Sequence, residues 1–79
     1  MRDLLTDIQI LDANGLSCPL PVLRARKRLR QLDAGMILEI YVTDPAAPSD
    51  FRAFCKETGN VLISITKIDG QNVIRIQKC

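Results

Sequence analysis

The sequence predicts an α/β (α+β) two-layer sandwich of order βαβαββ, with a four-stranded mixed sheet and two helices on one face. Three observations carry that expectation. Runs with apolar period two alternate with runs of period 3.6 along the chain. Both helical runs begin at a proline, Pro19 or Pro45, and stop near a glycine, Gly35 or Gly59. The last third holds Asp69-Gly70 between two alternating runs, the favoured pair for a tight hairpin turn. Strands that alternate, instead of reading as continuous apolar runs, leave one sheet face without helices.

The first strand is expected over Asp7 to Asp12, with Ile8 and Ile10 on the apolar face and Gln9 opposite, until Asn14-Gly15 breaks it. From Pro19 the stripe Val22, Ala25, Leu29 and Leu32 marks the first helix, with Gly35 as its left-handed stop. Met36 to Thr43 reads as a strand with Met36, Leu38, Ile40 and Val42 inward and a wet opposite face. Asp44 then caps a second helix that starts at Pro45, buries Ala47, Phe51, Phe54 and Cys55, and ends at Gly59. In the hairpin "VLISITKI" and "QNVIRIQK", a type I′ turn sets Ile65 opposite Ile74 and Ile63 opposite Ile76.

With 79 residues the chain is expected to form one domain, 1–79, whose modest core draws on a composition that is 47% hydrophobic. The opening "MRDLLTDIQI" lacks the apolar run of a signal peptide or membrane span, so a soluble, cytoplasmic protein is expected, with no membrane partner. Net charge is +2, too small to argue for nucleic acid, yet Arg24, Arg26, Lys27, Arg28 and Arg30 fall close together on the first helix.

Histidine is absent, which removes the usual general base and the commonest metal ligand. Three cysteines, Cys18, Cys55 and Cys79, form no CxxC pair, so neither zinc nor any other metal or cofactor is expected. Cys55 shares the apolar stripe of the second helix and reads as core packing. Cys79 is terminal and reads as an exposed, incidental thiol.

Cys18 is different. In "GLSCPLP" it stands directly before a helix-starting proline, where backbone N–H groups and the helix dipole converge. The dipole favours an anion by about 0.3–1 kcal/mol, so the thiol is expected to be acidified into a nucleophile. Pro21 stands where a resolving cysteine would be, which excludes an intramolecular dithiol cycle here. Without histidine, hydrolysis lacks its proton transfers. Thiol exchange with another protein remains, and a persulfide suits it, because the terminal sulfur passes to an acceptor with no acid–base machinery from its carrier.

The run "LDANGLSCPLPVLRARKRL", followed by Gly35, Asp44-Pro45 and Asp50-Phe51 with Phe54-Cys55, resembles the TusA/SirA family of small sulfur carriers from Leu11 onward. Its hallmark is a CPxP motif after a glycine, here Cys18-Pro19-Leu20-Pro21 after Gly15. The resemblance implies that Cys18 receives a persulfide from a cysteine desulfurase or a rhodanese-type donor and hands it to a downstream relay protein. Pathways served in the family include thiolation of tRNA uridine, molybdenum cofactor maturation and sulfur oxidation. Some relatives have an acidic residue where this chain has Leu20, and related chains usually have a basic residue at the position of Lys27.

Gly15, Pro19 and Pro21 are then expected to support the motif, by turning the chain and stiffening the first helical turn. Arg24, Lys27 and Arg28 are expected to attract an acidic partner surface. The competing reading is a small nucleic-acid-binding or adaptor module using the same basic helix. Against direct nucleic-acid binding, the chain has three aromatic residues, Tyr41, Phe51 and Phe54, and two of these read as core.

Overall fold

The computed structural model describes residues 8–79. Six elements follow in the expected order: β1 (Ile8–Asp12), α1 (Leu20–Arg30), β2 (Ile37–Val42), α2 (Ala47–Thr58), β3 (Val61–Ile68) and β4 (Gln71–Gln77). The sheet order is β1-β2-β4-β3. β1 pairs parallel with β2, and β4 runs antiparallel between β2 and β3. Both helical crossovers therefore connect parallel strands, with the second strand of the hairpin inserted into the second crossover. The expected start of β1 at Asp7 lies outside the described residues.

The core forms where alternate residues of the sheet meet both helices. Leu38, Ile40 and Val42 of β2 and Ile74 and Ile76 of β4 are fully buried against Ala25 and Leu29 of α1 and Ala47, Phe51, Phe54 and Cys55 of α2. Phe51 and Phe54, one helical turn apart, meet edge to face with centroids 6.2 Å apart. Because both helices share this one cluster, they cover the same face of the sheet.

Several local expectations are corrected. In β1 the core residue is Leu11, which pairs with Ile40, followed by Ala13, whereas Ile10 faces outward and is 58% exposed. Register decides this: parallel pairing with β2 puts Gln9 and Leu11 beside the inward Leu38 and Ile40, and Ile8 and Ile10 beside the outward Ile37 and Glu39. The outer face of β2 is drier than expected. Glu39 is only 8% exposed, because Tyr41 donates its hydroxyl to Oε2 at 2.6 Å and Arg75 donates Nε–H to Oε1 at 2.8 Å.

In the hairpin, Asp69 and Gly70 have φ of 50° and 79°, as the tight turn requires, and Ile65 does face Ile74. An irregularity between Leu62 and Ser64 then shifts the register, so Leu62 and not Ile63 lies opposite Ile76. The extra residue of such a bulge turns Ile63 away from the core and leaves it exposed.

Helix ends also differ. α1 stops at Arg30 with Gln31 as a right-handed cap, and the Lys78 ammonium donates to the Leu29 carbonyl at 2.8 Å. Gly35 lies beyond, at φ 91°, where its N–H bonds to the Lys78 carbonyl at 2.9 Å and admits the chain to β2. α2 starts at Ala47, not Pro45. Asp44 Oδ1 accepts from the Ala46 N–H at 3.1 Å, which makes a separate turn ahead of the helix. Gly59 ends α2 in the left-handed conformation, φ 82°, as expected.

Candidate functional site

β1 and β2 are parallel neighbours, so the loops that leave their C-terminal ends lie side by side. Two hydrogen bonds join those loops. The Gly15 N–H donates to Thr43 Oγ1 at 2.9 Å, and the Cys18 N–H donates to Asp44 Oδ2 at 2.8 Å. Gly15 has φ 80°, a conformation that a side chain would strain, so this glycine turns the loop toward Thr43. Cys18 is held at the junction and is exposed.

The start of α1 is displaced by one residue from its expected place. Pro19 is the N-cap, Leu20 the first helical residue, and the Cys18–Pro19 peptide bond is cis. Pro21 is buried and anchors the first turn to the core. Cys18 is thus one residue outside the helix cap, and it lines one groove together with Asp50 of the first turn of α2.

This reverses the expected acidification. The Asp50 hydrogen bond, then desolvation, then the negative charges of Asp50 and Asp44 all push the Cys18 thiol above its ordinary value. Two nearby carboxylates outweigh a dipole whose partial charge amounts to half an elementary charge. The sequence places Asp44 as the cap of the second helix and gives no reason to set it or Asp50 beside Cys18. Their real position beside Cys18 follows from the adjacency of β1 and β2, and the legible signal was that Asp44, like Cys18, lies in a loop that leaves a parallel strand.

Beside the thiol, α1 and α2 enclose an open groove of about 250 Å³. Val22, Ala53 and Phe54 form its apolar part, and Cys18, Pro19 and Asp50 also line it. Arg26 and Glu57 also line it, 3.9 Å apart, with the Arg26 guanidinium 5.1 Å from the Phe54 ring centroid.

Four of the five basic residues of α1 divide between two surfaces and a bond to β1. Arg26 belongs to the groove, and Arg28 donates Nη2–H to the Ile10 carbonyl of the edge strand β1 at 2.8 Å. Arg28 thus has an exposed hydrogen bond within the chain, which ties α1 to the edge strand. Arg24 and Lys27 instead flank a shallow exposed patch with Leu20 and Leu23, the latter 52% exposed. Sequence reading missed those two leucines, although their spacing on the face opposite the core stripe was readable.

Cys55 is buried in the core, and burial raises its thiol pKa. Cys79 is exposed, with its N–H on Asn60 Oδ1 at 3.0 Å. Among the described residues no cluster of three or more His, Cys, Asp or Glu could hold a metal, and no helix is long and apolar enough to cross a membrane.

Comparison with known proteins matches this arrangement to one family. The family profile described as Sulfurtransferase TusA matches residues 9–78. The sulfur carrier protein TusA of Allochromatium vinosum is 46% identical over 70 residues, covering 89% of this chain and 92% of that one. TusA of Pseudomonas entomophila is 38% identical over 78 residues, covering 99% and 96%. The crystal structure of a SirA-like protein from Desulfitobacterium hafniense superposes with a TM-score of 0.77 at 28% identity, covering 89% of this chain and 95% of that one. The chain, with its exposed Cys18 between two paired loops of a four-stranded α+β sandwich, belongs to the TusA family of sulfurtransferases.

Proposed function

We propose that this protein is a cytoplasmic sulfur carrier that accepts a persulfide on Cys18 from a cysteine desulfurase or rhodanese-type donor and relays the terminal sulfur to an acceptor protein. The observation that carries this reading is an exposed thiol fixed by its own N–H to Asp44 at the rim of the α1–α2 groove. A partner's cysteine can reach such a sulfur without unfolding either chain.

Transfer is an exchange of sulfane sulfur. A bond forms between Cys18 Sγ and the donor's terminal sulfur, and the donor's S–S bond breaks, releasing its thiolate. No net oxidation takes place and no cofactor is needed. Delivery reverses the roles, with an acceptor nucleophile taking the outer sulfur from Cys18. The family's tRNA-thiolation, molybdenum-cofactor and sulfur-oxidation pathways are all compatible with this chemistry.

Gly15, Pro19 and Pro21 set the direction of the thiol, through the left-handed turn and the anchored first turn of α1. Arg24 and Lys27, together with Leu20 and Leu23, supply a basic and apolar patch for an acidic partner surface. The alternative of a nucleic-acid-binding module loses force, because Arg26 and Arg28 are already engaged within the chain.

The test is to incubate the protein with a cysteine desulfurase and cysteine and to map added mass. Gain of one sulfur atom at Cys18, lost in Cys18→Ser, is expected. Equal loading of Cys18→Ser would overturn the assignment.

A further inference from the structure

The groove that Cys18 lines has a mixed surface that exchange of sulfur between proteins leaves unused. Val22, Ala53 and Phe54 give it an apolar part, Arg26 a guanidinium, and Asp50 and Glu57 two carboxylates. The guanidinium is held against the Phe54 ring, 5.1 Å from its centroid. Arg26 Nη2 stands 3.9 Å from Glu57 Oε1, and the Glu57 side chain is 71% exposed. So long and so solvated a pair contributes little, which leaves both charges open to a ligand at small cost. At about 250 Å³ the groove falls below the ~300–1,000 Å³ of sites for larger ligands, and it suits a molecule the size of one amino acid.

We propose that this groove binds a free amino-acid persulfide of the cysteine type, as a second source of sulfur for Cys18 beside a protein donor. The inference rests on the sulfur-carrier reading above. A free amino acid carries an ammonium and a carboxylate on one carbon, and the groove offers the opposite charges 3.9 Å apart. Arg26 takes the carboxylate, Glu57 and Asp50 attract the ammonium, and the sulfur-bearing chain lies along the apolar part toward Cys18. A cysteine inside a protein segment lacks both charges, because its α groups are amides. Inorganic polysulfide and thiosulfate are anions, and they meet two carboxylates for one guanidinium.

Transfer from such a ligand, R–S–SH, balances without an oxidant. Cys18 Sγ forms a bond to the outer sulfur, and the ligand's S–S bond breaks with its electron pair going to the inner sulfur. The inner sulfur leaves as R–SH, after taking up through solvent the proton that Cys18 gives up. The products are the Cys18 persulfide and free cysteine, and the transferred sulfur keeps its oxidation state. Binding holds the outer sulfur near Sγ, so charge contacts away from the reacting atoms show in the rate.

The test gives the full chain the persulfides of cysteine, of cysteamine, which lacks the carboxylate, and of mercaptopropionate, which lacks the ammonium. Sulfur gain at Cys18 is read by peptide mass and divided by the rate of the same persulfide with a short cysteine peptide, which removes intrinsic reactivity. Cysteine persulfide is expected to exceed each of the others by about fivefold to tenfold. Arg26→Gln closes the gap to the cysteamine compound, and Arg26→Lys, which keeps the charge, preserves part of it. Asp50→Asn combined with Glu57→Gln closes the gap to the mercaptopropionate compound. S-methylcysteine, which has no sulfur to give, slows iodoacetamide modification of Cys18 in the unmodified chain and not in Arg26→Gln. Equal normalised rates for the three persulfides, a preference that survives Arg26→Gln, or no protection by S-methylcysteine overturns the proposal. If a cysteine desulfurase loads Cys18 while the three persulfides react alike, the groove inference alone fails; if no donor loads Cys18, the carrier reading itself fails.

Discussion

Asp44 Oδ2 accepts the main-chain N–H of Cys18 at 2.8 Å across 26 residues of sequence, and this bond ties the loop after β1 to the loop after β2. The same carboxylate caps the Ala46 N–H through its other oxygen. One side chain therefore fixes both the position of the thiol and the approach to α2.

Asp44→Ala is expected to cost about 1–2 kcal/mol of stability in urea unfolding, since hydrogen bonds to a charged group are worth more than neutral ones but this one is partly solvated. It also removes a negative charge beside Cys18, so the alkylation midpoint of that thiol should move down. A variant as stable as the parent, with an unmoved midpoint, would contradict both roles.

The pH dependence of Cys18 follows from its carboxylate neighbours. Iodoacetamide modification should have its midpoint above that of an ordinary exposed thiol, because Asp50 and Asp44 favour the protonated form. The charge contributions are screened by salt while the hydrogen bond is not, so raising ionic strength should lower the midpoint without restoring the ordinary value. A midpoint below that of a model thiol peptide would refute the site electrostatics.

Glu39 supplies an acid-sensitive element on the outer face. Its carboxyl is held below the ordinary range, first by the Tyr41 hydroxyl and then by Arg75, against the cost of burial. A depressed folded value contributes stability above the unfolded carboxylate pKa, and that stability is lost as pH falls from about 4.3 through the folded value. Urea unfolding of the parent and Tyr41→Phe at pH 7 and pH 3 should show a smaller drop in the variant. An equal drop would place the acid sensitivity elsewhere.

The two faces of β1 can be told apart by stability. Leu11→Ala is expected to cost about 2–5 kcal/mol because its side chain is in the core, and Ile10→Ala under about 1 kcal/mol because its side chain is outward. Chemical denaturation of both variants checks this, and the opposite ranking would restore the face first read from the sequence.

That pair also shows why some features were legible and others were not. Asp69-Gly70 demands positive φ at two successive residues, and Gly59 ends its helix in the left-handed conformation, so local chemistry placed both features before any contact was known. Phe51, Phe54 and Cys55 repeat at helical spacing and are indeed buried together. β1 offered apolar residues on both faces, and the choice between Ile10 and Leu11 belonged to its pairing with β2. The bulge near Ile63 and the partly buried Glu39 were likewise set by cross-strand partners.

By itself, the sequence determined the element order, the hairpin turn, the helical core stripes and the identity of the thiol to watch, because each rests on residues within a few positions of one another. Only the tertiary structure decided the chemical character of that thiol. Asp44 and Asp50 come from the second crossover, and chain folding sets their charges and Asp50's hydrogen bond against the weaker local pull of the first helix. Electrostatic energy depends on distance through space, and the parallel pairing of β1 with β2 fixed that distance.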